Sequence, residues 1–154
     1  MDQSRRRALT AGGALGVFGL LLAAGMLAPR EAQAAWNRSA FDAKSMEAAL
    51  EAIGAGAPGA SGAVVLTTVE VAEDGTVVPV TVTSTLPDTR QIAILVENNP
   101  NPLAASFTFP DGTVPEIHTR VKMADTSKVF GVVKAGDAFY MVKTEVKVVE
   151  GGCA

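Results

Sequence analysis

From Val64 to Val149 the chain alternates apolar and polar side chains over short segments, and this period of two constrains its fold more than any other feature. Successive side chains on a pleated strand point to opposite faces, so alternation marks a strand with one buried face. Val78, Val80 and Val82 lie on one side of such a segment, and Thr81 and Thr83 on the other. Seven segments read as strands: Val64–Val71, Thr76–Thr85, Gln91–Glu97, Leu103–Phe109, Ile117–Met123, Ser127–Lys134 and Ala138–Val149. Turn chemistry separates them at Glu73-Asp74-Gly75, Asn98-Asn99-Pro100-Asn101-Pro102, Pro110-Asp111-Gly112 and Gly136-Asp137. The pattern predicts an all-β chain folded as an antiparallel β-sandwich of about seven strands. Pro79 predicts an edge position or a bulge, because proline has no amide to give to a ladder.

Helical character is confined to the stretch from Trp36 to Ala60. Ser45 can cap a short N-terminal helix over Met46–Ile53, with Glu47 in its first turn and Gly54 beyond its end. Met46, Leu50 and Ile53 form one apolar stripe. Gly54 to Gly62 is small and reads as a linker that does not pack. The expected organisation is a helical segment and linker over residues 35–62, a sandwich over 63–150 and an arm over 151–154.

Residues 1–34 read as an export signal. Arg5-Arg6-Arg7 precede the apolar run Ala11–Leu27, and Ala32-Gln33-Ala34 supplies the small-x-small cleavage pattern. The run is rich in Gly and Ala and only moderately hydrophobic, which suits twin-arginine export and a periplasmic location. Removing this leader takes away four arginines and two acids, moving the net charge from −3 to −5.

An acidic chain lacks the clustered positive surface of a nucleic-acid binder. One Cys and one His leave little material for a metal site or an internal disulfide. Phosphate-loop, nucleophile-elbow, zinc-protease and haem-attachment motifs are all missing from the sequence. His118 sits in an alternating segment and reads as a half-exposed strand residue. No resident cofactor or metal is expected.

What remains is Gly151-Gly152-Cys153-Ala154. If strand pairing ends near Val149, residues 150–153 reach at most about 13–14 Å from the sheet. Gly151 and Gly152 then form a flexible arm that presents Cys153 to a narrow site in another protein. A lone thiol in an exported protein marks a reactive or intermolecularly pairing group. Glu150 and the terminal carboxylate disfavour the thiolate, so a partner has to activate it. That points to a carrier ahead of an enzyme.

Several segments together resemble the SoxY family of periplasmic sulfur carriers. They include Phe41–Ile53, Gly75–Val80, Ile92–Glu97, Asn99-Pro100-Asn101-Pro102-Leu103-Ala104, Thr119–Met123, Phe139–Lys143 and Gly151-Gly152-Cys153. The resemblance implies an immunoglobulin-like sandwich that pairs with a second sandwich subunit, SoxZ, in a heterodimer. It makes Cys153 the covalent attachment point for sulfur intermediates of thiosulfate oxidation. SoxXA would conjugate thiosulfate to that thiol, SoxB would hydrolyse off sulfate, and a sulfane dehydrogenase would oxidise the remaining persulfide. The family arm continues as Gly-Gly-Cys-Gly-Gly, whereas Ala154 follows the cysteine here.

Two other readings compete with the carrier. One is a non-catalytic periplasmic binding module whose Cys153 is incidental or forms an intermolecular disulfide. The other is a thiol enzyme, disfavoured because no base is recognisable near Cys153 in the sequence.

Overall fold

The computed structural model describes residues 37–152, so the expected leader and Cys153 lie outside the described residues. Two short helices come first. Asn37 caps α1 (Arg38–Asp42), its side-chain oxygen accepting from the Ala40 amide at 3.2 Å. Ser45 caps α2 (Met46–Ala52), its hydroxyl accepting from the Ala48 amide at 3.2 Å. The helix expected from Ser45 onward is present, with Ile53 as its C-cap. The additional five-residue helix α1 is too short to leave a periodic stripe in the sequence. No helix among the described residues is long and apolar enough to cross a membrane.

The glycine-rich stretch after α2 packs, contrary to expectation. Ala55 is buried, and Gly59 pairs in parallel with Tyr140. The Gly59 amide donates to the Phe139 carbonyl and its own carbonyl accepts from Met141, both at 2.8 Å. The small side chains that suggested a linker allow this backbone to lie against a strand.

Eight strands follow: β1 (Val64–Thr68), β2 (Val71–Asp74), β3 (Val78–Ser84), β4 (Thr89–Val96), β5 (Leu103–Thr108), β6 (Glu116–Val121), β7 (Ser127–Ala135) and β8 (Ala138–Glu150). They form a three-stranded sheet in the order β1-β3-β6 and a five-stranded sheet in the order β2-β8-β7-β4-β5. The first expected strand is thus two strands, broken at Val69-Glu70. There the chain changes sheets, and β2 pairs parallel with β8 while the other named pairs are antiparallel. Pro79 also differs from expectation, since β3 is the central strand of its sheet. β1 has ended at Thr68 opposite Val80, and the Pro79 carbonyl accepts from the Thr68 hydroxyl instead of a ladder amide. Proline therefore occupies a stretch where that ladder is already finished.

Apolar residues fill two layers, one on each face of the five-stranded sheet. Between the sheets, Val78, Val80 and Val82 meet Ile92, Ile94, Val96, Val129, Val133 and Val146. On the opposite face Ala93, Leu95, Phe130 and Val132 pack under the helices, against Ala40, Ala49, Met46, Leu50 and Ile53. The continuous apolar run Ile92–Val96 follows from this, since both faces of β4 are buried.

Candidate functional site at the end of the last strand

β8 delivers the chain to the site. The sequence suggested that pairing ends near Val149, but regular structure continues to Glu150 and backbone bonding reaches Gly152. Three segments meet there. The Gly75 amide donates to the Glu150 carbonyl at 2.8 Å, the Met123 amide to the Gly75 carbonyl at 2.7 Å, and the Gly152 amide to the Met123 carbonyl at 2.9 Å. Gly152 is buried and Gly151 exposed.

Close approach explains why these positions are glycine. A Cβ on Gly75 would stand 2.4 Å from the Met123 oxygen, and one on Gly151 2.2 Å from the Ala124 oxygen. A Cβ on Gly152 would meet the Gly75 backbone at 2.8 Å. Real side chains do not tolerate such distances to backbone, so the three glycines interlock in a knot that only they can form. Backbone bonding therefore runs past the expected end at Val149 as far as Gly152.

The turn between β2 and β3 forms one wall of the knot. The Asp74 carboxylate accepts from both the Thr76 amide and the Thr76 hydroxyl, each at 2.7 Å. These bonds, the backbone one foremost, hold its pKa below the usual aspartate value. The opposite wall is residues 122–124. The Asn99 side chain donates to the Lys122 carbonyl at 2.7 Å and accepts from the Ala124 amide at 3.0 Å. The rest of this asparagine-proline loop ties down other elements: Asn98 donates to the Thr126 carbonyl, while Asn101 donates to Phe41 and accepts from Lys44. A groove of about 340 Å³ runs along the loop, lined among others by Asn99, Asn101, Ala104, Arg120 and Lys122.

His118 lies elsewhere, on the outer face of the three-stranded sheet. Its ring nitrogens contact the Thr81 hydroxyl and the Glu116 carboxylate. The structure does not bring it to the knot. Among the described residues no group of three or more His, Cys, Asp or Glu side chains could hold a metal ion.

The sequence singles out Gly151 and Gly152 but gives no sign of Gly75 and Met123, which bond at the same point, or of Asn99, which holds residues 122 and 124. Gly75 reads as an ordinary turn glycine, yet it is not among the glycines with positive φ. Asn99 stood only as part of a motif, and nothing local reveals that it reaches residues 122 and 124.

Comparison with known proteins agrees with this architecture. The family model described as "Sulfur oxidation protein SoxY" matches residues 49–153. The structure of the sulfur carrier protein SoxY from Chlorobium limicola f thiosulfatophilum is similar at 36% identity and a TM-score of 0.62, covering 73% of this chain and 99% of that one. A structure concerned with T cell specificity and activation by toxic shock syndrome toxin-1 aligns at 15% identity and a TM-score of 0.38, over 55% of this chain and 98% of that one. That second likeness is too distant to carry an argument. No curated protein matches.

Proposed function

Because the chain belongs to the SoxY family of sulfur oxidation proteins, we propose that it carries sulfur intermediates covalently on Cys153 and presents them to partner enzymes. One observation carries the reading: the only thiol of the chain directly follows Gly152, the residue at which the C-terminal strand is tied to the fold.

The chemistry balances with a partner that accepts electrons. The Cys153 thiol and thiosulfate join through a new S–S bond, releasing one proton and two electrons to the conjugating haem enzyme, SoxXA. Water then attacks the terminal sulfone. The S–S bond to that sulfone breaks, sulfate leaves, and a persulfide stays on Cys153. SoxB performs this hydrolysis, and a sulfane dehydrogenase, where present, oxidises the persulfide. The chain is thus a substrate of its partners and not an enzyme. SoxZ is its heterodimer subunit, and residues 1–34 support delivery to the periplasm by the twin-arginine route.

Gly151 and Gly152 supply the joint of the arm. A neutral hydrogen bond is worth about 0.5–1.5 kcal/mol net. A single such bond at Gly152 therefore leaves the arm released in roughly 7–30% of molecules. A knot of that strength gives a defined resting position without trapping the cargo.

The test is the intact mass of protein recovered from the periplasm of cells oxidising thiosulfate. Adducts of thiosulfonate or persulfide type are expected, and they should vanish in Cys153→Ser, whose stability should stay within about 0.5 kcal/mol of wild type. Thiosulfate oxidation that persists in Cys153→Ser would remove the carrier reading. A clean thiol or a simple disulfide dimer would favour the binding module.

A further inference from the structure

We propose that Asn99 is a positioning residue for the arm: it orients the two peptide planes that hold Gly75 and Gly152. The inference rests on the carrier reading for its consequence, but its geometry stands on described residues alone.

The Lys122 carbonyl and the Met123 amide belong to one peptide unit, and the Met123 carbonyl and the Ala124 amide to the next. Each unit is planar, with its N–H and C=O pointing in opposite directions. Asn99 grips one end of each, donating to the Lys122 carbonyl and accepting from the Ala124 amide. The far ends of the same two units make the knot, where the Met123 amide donates to Gly75 and the Met123 carbonyl accepts from Gly152. Fixing one end of a rigid plane aims the other. One side chain thereby sets the direction from which the chain leaves for Cys153, although it touches neither Gly152 nor the thiol-bearing residue in sequence. The Met123 side chain is fully buried in the core, which anchors the Cα between the two planes.

In Asn99→Asp the carboxylate keeps the acceptor for Ala124 but sets an anionic oxygen against the Lys122 carbonyl, so the first grip becomes a repulsion. Asn101→Ala controls for general damage to the loop, because Asn101 bonds to Phe41 and Lys44 instead. The measurement is amide exchange at Gly152, referenced to the buried Val132 amide, on the full chain. Exchange at Gly152 should quicken about threefold or more in Asn99→Ala, towards the rate of a free amide, at least as much in Asn99→Asp and not at all in Asn101→Ala. Enzymatic conjugation of thiosulfate to Cys153 in Asn99→Ala should show a raised KM for the carrier, with alkylation by a small reagent unchanged. Unchanged exchange at Gly152 in Asn99→Ala, or equal acceleration in Asn101→Ala, would overturn the proposal, as would quickened exchange with an unaltered KM. A wild-type chain that takes up no sulfur would fail the carrier reading instead, and the exchange rates would still decide the role of Asn99.

Discussion

Asp74 shows how much of the site depends on a single side chain. Its carboxylate closes the turn that presents Gly75 to Glu150 and Met123. The two Thr76 bonds lower its pKa in the folded chain. A carboxylate lowered in this way adds stability above its unfolded pKa and loses that stability as pH falls through the folded value. The difference in urea midpoint between wild type and Asp74→Asn should therefore shrink as pH drops below the ordinary carboxylate range. A difference that stays constant on acidification would show that the ionised form does not hold the turn. At this scale the thiol, the C-terminal glycines and the turn are all visible in the sequence. The knot is not, because residues 75, 123 and 152 are distant in the chain, and what demands glycine at 75 is an oxygen 2.4 Å from a would-be Cβ.

Among the elements, legibility followed the range of the interactions that define them. Helix α2 is governed by neighbours: Ser45 caps it, and Met46, Leu50 and Ile53 pack with the buried Ala49 against the sheet. Ser45→Ala should lower stability by about 1 kcal/mol, and Ser45→Asp should keep it near wild type. Urea unfolding checks both, and an unchanged midpoint in the alanine variant would mean that the cap contributes nothing. The split between β1 and β2 had no such local signature, since the alternation runs unbroken through Val69, Glu70 and Val71. The break is set by where partners lie: β3 takes the first half, and β8 takes the second through Val71 opposite Lys147, with the Lys147 amide donating to the Glu70 carbonyl. The glycine-rich stretch after α2 was misread for a related reason, as its pairing with Tyr140 uses backbone only.

The described residues are organised around one sheet with a core on each face, and their cooperativity follows from that sharing. Ile94 and Leu95 are neighbours on β4, both fully buried, yet Ile94 belongs to the layer between the sheets and Leu95 to the layer beneath the helices. Truncating either to alanine should cost about 2–5 kcal/mol, a large part of the roughly 5–15 kcal/mol that holds a domain together. If β4 and β7 transmit each loss to both layers, the chain unfolds as one unit. Amide protection at Ala49 under the helices and at Val82 between the sheets should then fall by the same factor in Ile94→Ala and in Leu95→Ala. Exchange that quickens only at Ala49 in Leu95→Ala, with Val82 still protected, would make the helical layer a separate unit. The distinction bears on the carrier, because the knot is built from β2, β8 and the segment after β6, all of which contact the inter-sheet layer through Ala72, Val148 and Met123. A cooperative sandwich keeps that base intact while the single bond at Gly152 opens and closes.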